Sequence, residues 1–341
     1  EGMNEYKDLK LTVASSPHVN SPVNTRQLML DLLLALIPAM AMGTYFFGWR
    51  ALAMTAVSVV GCEVFEWGYR AMMKKPQTGG DLTAAVTGVL LAFTCPVALP
   101  YWVLLIGDFF AIVIVKQLFG GLGKNFLNPA LAGRAFLMLA YSKYMATWVS
   151  PGTHNWMSLT GKIADVVSQA TPMADLHSGK LPWQGAAGSS LQDLFLGNVS
   201  GCIGEISAAA LLLGGVYLIL RGVIKPRIPV AYLGTVAILT VIFPQGNNNV
   251  MWMLSQLCGG GLMLGAFFMA TDYVTRPCTP KGEWIFGVGC GLLTVFIRYF
   301  GSYPEGVSYA ILLMNVLTPI IEKYTHPGRF GVTGKKGGAK A

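Results

Sequence analysis

Ten long apolar runs dominate this sequence and confine the chain to a membrane. They are Leu28–Trp49, Ala51–Met73, Leu82–Leu99, Tyr101–Phe119 and Pro129–Met145, then Gly201–Leu220, Ile228–Phe243, Val250–Tyr273, Trp284–Phe300 and Gly306–Ile321. A helix needs about 20 such residues to cross the hydrocarbon core. Within that core every backbone polar group must find its partner inside the chain. The predicted fold is therefore an all-α integral membrane protein with about ten transmembrane helices. The seventh run is short, and the third and eighth carry nearby glycine pairs and end near prolines, which predicts broken or tilted helices there. Charge agrees, since 12% of residues are charged against about 25% in soluble domains.

The remaining charge is distributed asymmetrically. Of the 24 Lys and Arg, alternating loops put 18 on one side and 5 on the other, with Arg134 inside a span. Cytoplasmic loops carry the excess of basic residues, so both termini are expected in the cytoplasm. The net charge of +8 reads as membrane orientation and not as a nucleic-acid surface, because no aromatic-basic groove or zinc spacing accompanies it. No cleavable signal is expected, since residues 3–24 contain no sustained apolar run. The layout predicts a cytoplasmic segment (1–27), a first five-helix unit (28–146), an extracytoplasmic loop (147–200), a second five-helix unit (201–324) and a basic cytoplasmic tail (325–341). Gly79-Gly80 with Pro96, and Gly259-Gly260 with Pro277, fall at matching places in the two units. Five spans is an odd number, so the second copy would be inverted.

The outer loop holds the most specific pattern: Asp165-Val166-Val167-Ser168-Gln169-Ala170-Thr171, followed by Pro172. Read as local chemistry alone, it is a polar turn. The pattern resembles the RnfD/NqrB family of membrane flavoproteins, in which a flavin transferase esterifies the phosphate of FMN to the threonine of D-x-x-[ST]-x-A-T. The resemblance implies Thr171 as the covalent FMN attachment residue, on an exposed strand or turn, with Asp165, Ser168 and Ala170 as recognition context. Gln169 departs from the glycine frequent in the family. Ser16-Pro17-His18, Leu30-Asp31 through Pro38, Ala85-Val86-Thr87-Gly88, Lys116 through Gly123, Asn125 through Ala130 and Ala270-Thr271-Asp272-Tyr273 extend the likeness over nearly the whole chain.

Length, and Pro172 directly after the threonine, favour the RnfD branch. That branch implies a subunit of a redox-driven pump that relays electrons between ferredoxin and NAD⁺, coupled to Na⁺ or H⁺ translocation. The partners it implies are the other subunits RnfA, RnfB, RnfC, RnfE and RnfG, with the flavin transferase for maturation. It also implies a non-covalent riboflavin at Asn125 and Asn128. From the residues alone, Asn128 before Pro129 is a helix cap, and both roles are compatible.

Ionisable groups inside spans are costly and are paired or functional. They are Asp31, Glu63, Glu66, Asp108, Arg134, Glu205 and Asp272. Glu63 and Glu66 stand three apart, on one helix face, where they line a cation path or answer Arg70. Asp272, beside the interrupted eighth span, is the preferred ion-coupling candidate, with Glu63, Glu66 and Asp31 behind it. The four histidines lie outside the spans without metal spacing, and the six cysteines contain no C-x-x-C. No protein-bound metal, haem or iron–sulfur cluster is expected. The competing reading is an inverted-repeat channel or secondary transporter without a redox role, which leaves the threonine motif unexplained.

Overall fold

The computed structural model describes residues 24–151, 171–185, 188–246, 248–301 and 303–326. Among them the chain is helical, with no strand, and the extended backbone contributes one isolated antiparallel bridge, Pro96 to Cys202.

The N-terminal half opens with two long helices, α1 (Thr25–Phe47) and α2 (Trp49–Met72). Gly48 turns the chain between them at φ 78°, a left-handed backbone that glycine adopts without a Cβ penalty. A short helix follows, α3 (Thr83–Phe93), with every residue buried. Helix α4 (Tyr101–Phe109) runs directly into a π-helical stretch, Phe110–Gln117. Then come α5 (Pro129–Ala140) and the single turn α6 (Ser142–Met145). Two short helices precede the second half, α7 (Pro172–His177) and α8 (Leu191–Leu196). The second half contains α9 (Ala208–Leu220), α10 (Arg227–Ile242), α11 (Asn249–Cys258), α12 (Leu262–Leu264) with its π-helical continuation Gly265–Met269, α13 (Pro280–Phe300) and α14 (Val307–Thr325).

Three helices, α1, α2 and α13, are individually long and apolar enough to cross a membrane, and α11 with Leu262–Met269 makes a fourth, bent by 63°. The bend falls at Gly259–Gly261, where Gly260 and Gly261 have φ of 65° and 66°. The third run is broken, as its glycine pair and proline predict. Its helix ends at Phe93, after which Thr94, Cys95 and Leu99 continue as fully buried irregular chain. Pro96 and Pro100 explain the stop, because neither can donate to a continuing helix. Such a segment survives at membrane depth only when protein covers it, and here Ile203 N and Gly204 N donate to the carbonyls of Cys95 and Phe93. The fifth run also divides, with α5 and α6 meeting at Tyr141.

Large apolar side chains turn outward along α1, α2 and α13, among them Leu34, Ile37, Val60, Trp67, Leu292 and Phe296. Asp31, Glu66, Glu283 and Arg298 turn inward. Glycine permits the closest crossings: a Cβ on Gly214 of α9 would collide with the Ala35 carbonyl of α1, and one on Gly88 of α3 would lie 2.8 Å from the Ser58 carbonyl of α2.

Candidate functional site

Thr171 precedes Pro172, the first residue of α7, in extended backbone (φ −74°, ψ 150°), and its hydroxyl does not cap that helix. The side chain is not on an exposed turn. Its residue is 8% exposed because α7 is fastened to the bundle. Met173 and Leu176 pack with Leu181 and Trp252, and His177 Nδ1 lies 2.7 Å from the carbonyl of Arg298. Thr171 instead borders a cavity of about 330 Å³ shared with Trp148, Tyr303, Tyr309, Ser142, Ser308 and Glu305. Asp165, Ser168 and Ala170 lie outside the described residues.

A smaller cavity of about 30 Å³, room for one water, adjoins Thr171 from the other direction, bounded by Cys202, Glu205, Glu305 and Gly259–Gly261. Arg134 of α5 occupies the centre of this region. Its Nη1 donates to Glu205 Oε1 at 2.5 Å and its Nη2 to Glu305 Oε2. Cys202, Glu205 and Glu305 place ligand-type atoms within 4.8 Å of one another. The guanidinium pairs with both carboxylates, so the group is an ion-pair cluster. The bend at Gly259–Gly261 meets a second buried cation, Arg298, which donates to the carbonyls of Gln256 (2.6 Å), Gly259 (3.0 Å) and Glu305 (3.0 Å).

Asn125, Asn128 and Asp272 converge on one cavity of about 70 Å³, together with Lys116, Thr83 and Tyr273. Asn128 caps α5, with Oδ1 accepting from Ala130 N at 3.1 Å, while its Nδ2 donates across the molecule to the Met269 carbonyl at 3.3 Å. One amide thus ties the start of α5 to the end of the interrupted eighth span. Asn125 donates to the Leu127 carbonyl at 3.0 Å. Asp272 accepts from Thr275 Oγ1 at 3.1 Å.

The other carboxylates lie elsewhere. Asp31 is held by Tyr217 Oη at 3.0 Å and Arg221 at 3.3 Å. Glu66 accepts from Lys116 Nζ (2.7 Å), Thr78 Oγ1 (2.8 Å) and Gln117 Nε2 (2.9 Å), with Arg70 Nε at 3.7 Å. Glu63 is only part-buried and borders with Glu66 a separate cavity of about 290 Å³. The four ion-coupling candidates therefore occupy three places, and two of them are already neutralised by basic partners. A buried carboxylate is the partner that sequence expects for Arg134, but it does not single out Glu205 and Glu305, nor a role for Arg298. The one available signal was that each is a basic residue enclosed by an apolar run.

Comparison with known proteins adds a separate line of evidence. A model of the NQR2, RnfD, RnfE family matches residues 12–331. The chain is 49% identical over 336 residues to a protein of Acetobacterium woodii named as the D subunit of the Na(+)-translocating ferredoxin:NAD(+) oxidoreductase complex, covering 98% of this chain and 99% of that one. It is 42% identical to the D subunit of the proton-translocating ferredoxin:NAD(+) oxidoreductase complex of Clostridium ljungdahlii, covering 94% and 96% respectively. It is 35% identical to the D subunit of the ion-translocating oxidoreductase complex of Actinobacillus succinogenes, covering 96% and 99%.

Proposed function

The chain belongs to the NQR2, RnfD, RnfE family, and on that premise we propose that it is the flavin-carrying membrane subunit of an ion-translocating ferredoxin:NAD⁺ oxidoreductase. In this reading FMN is esterified through its phosphate to Thr171 on the extracytoplasmic side. The other subunits, RnfA, RnfB, RnfC, RnfE and RnfG, supply the remaining redox centres, and a flavin transferase installs the FMN.

The carrying observation is the cavity beside Thr171. Its volume of about 330 Å³ falls within the about 300–1,000 Å³ of small-molecule pockets. Its three aromatic side chains, Trp148, Tyr303 and Tyr309, suit a flat ring system, and Ser142 and Ser308 offer hydrogen bonds to a polar ring edge. These residues fit a flavin tethered at Thr171. When bound, the flavin supplies electron carriage that the side chains lack. The protein's own part is to hold the attachment residue still, through Pro172, the packing of α7 and the bond from His177 to the Arg298 carbonyl.

A riboflavin ring does not fit inside the about 70 Å³ cleft at Asn125 and Asn128, which holds roughly two waters. The non-covalent riboflavin we propose at these amides would therefore meet them from outside the cleft.

The inverted five-plus-five arrangement also belongs to this proposal. What supports it is repetition of position. Helix α1 packs on α9, α2 on α4, and α10 on α13. The basic residue near the end of the fourth element reaches the third in each half: Lys116 to Thr83 Oγ1, and Arg298 to Gly259.

The test is the mass of the peptide spanning Lys162–Lys180, isolated from protein matured in its native host. One FMN less water is expected, together with flavin fluorescence in a denaturing gel that vanishes in Thr171→Ala. A bare peptide would leave the channel or transporter reading in its place.

A further inference from the structure

Ser58, Cys62, Glu66 and Arg70 stand four residues apart on α2, so they form one row along its surface. All four are buried. The row packs on α4 and the π-helical stretch after it, which contribute Asp108, Lys116 and Gln117, also buried. A polar seam thus crosses an otherwise apolar interface. At one end Glu66 borders the about 290 Å³ cavity and Arg70 donates to the Pro76 carbonyl. At the other end stands Asp108, fully buried, with no Lys or Arg within ion-pair distance among the described residues.

Hydrogen counting bears on the state of Asp108. Ser58 Oγ lies 2.6 Å from Asp108 Oδ1 and 2.9 Å from the Gly88 carbonyl oxygen. A hydroxyl has one hydrogen to give, so two full bonds need a second hydrogen. The two contacts are satisfied together when Asp108 carries a proton on Oδ1 and donates it to Ser58, which donates in turn to Gly88. Cys62 Sγ, 3.4 Å away, then donates to the same Oδ1. Oδ2 has no hydrogen-bond partner, which a neutral acid tolerates far better than an anion buried without a cation. The 2.6 Å separation is that of an O–H···O bond, with no room for a metal ion between the oxygens.

Among the described residues, the titratable groups near this carboxyl are two buried thiols, Cys62 in contact with it and Cys95 beyond α3. On α2, Glu66 and Arg70 are engaged further along the row. Helix α3 has no ionisable side chain. Arg134, the one ionisable group of α5, is committed to Glu205 and Glu305. The backbone changes to π-helical at Phe110, two residues beyond Asp108. Such insertions occur frequently at functional sites.

We propose that Asp108 is a proton-binding site in the membrane interior, loaded from the Glu66 end of the seam. Uptake adds one proton to the carboxylate and removes one negative charge from the bundle, with no change in oxidation state. The site is independent of the flavin at Thr171, and its test does not use the flavin.

Infrared spectra of the purified complex at neutral pH should contain the carbonyl stretch of a protonated carboxylic acid, which shifts in D₂O. The band should be lost in the near-isosteric Asp108→Asn, kept in Glu63→Gln, and kept but moved in Ser58→Ala, which removes the acceptor. Its exchange into D₂O should slow in Cys62→Ala. An unchanged spectrum in Asp108→Asn overturns the assignment. So does loss of the wild-type band on adding sodium, which would make the ligand a metal cation. Exchange unaffected by Cys62→Ala overturns the seam as the route.

Discussion

Nη1 of Arg134 lies 2.5 Å from Oε1 of Glu205, 71 residues further along the chain, and the same guanidinium reaches Glu305, 171 residues away. The fifth helix of the first half is thereby bound to the loop before α9 and the loop before α14. All three residues border or face the region beside Thr171.

That ion-pair cluster should be sensitive to loss of its centre. Arg134→Met leaves the buried Glu205 and the part-buried Glu305 without their ion-pair partner, and breaking a buried pair costs about 3–5 kcal/mol. Thermal unfolding of the purified protein should show a large loss. Adding Glu205→Gln and Glu305→Gln to Arg134→Met should recover part of it, because the uncompensated charges are gone.

Arg298 should act on the bend at Gly259–Gly261. Its guanidinium supplies donors to carbonyls that the interrupted helix leaves without helical partners, and each buried unsatisfied group costs about 1–3 kcal/mol. Arg298→Met is expected to speed amide hydrogen exchange across residues 256–265 while leaving α1 and α2 protected.

The glycine crossings yield a matched pair. Gly214→Ala places a methyl group against the Ala35 carbonyl, whereas nothing lies within 4 Å of a Cβ on Gly234. Overpacking costs about 1–3 kcal/mol, so Gly214→Ala should lower the unfolding temperature and Gly234→Ala should not.

Helix α8 carries a pH-dependent cap. Ser190 and Asp193 bond reciprocally, at 2.7 Å from Ser190 Oγ to Asp193 Oδ2 and 3.1 Å from Asp193 N to Ser190 Oγ. The Ser190 hydroxyl and backbone N–H favour the ionised carboxyl and hold Asp193 below its usual range. A depressed acid contributes its stability above the unfolded value, about 3.9 for aspartate, and loses it as pH falls through the folded value. Amide protection of α8 should fall on acidification below about pH 4. Asp193→Asn should remove that dependence.

Several features were legible in the sequence because they depend on neighbours in the chain. Apolar runs, sparse charge and the proline–glycine punctuation establish an all-helical membrane protein. Gly259-Gly260 marks the interruption of the eighth span, because two residues without a Cβ release the backbone there. Asn128 before Pro129 announces a helix start. Tertiary structure decided what each polar group meets. Nothing local says that Arg134 answers Glu205 and Glu305, that Glu66 answers Lys116 as well as Arg70, or that Asp108 stands opposite Ser58. Nor does hydropathy reveal that the third run stops at Phe93 and continues as buried irregular chain. Apolar burial is non-directional, so it can be read from composition and spacing. Hydrogen bonds and ion pairs are short and directional, so their partners are set only when distant helices have packed.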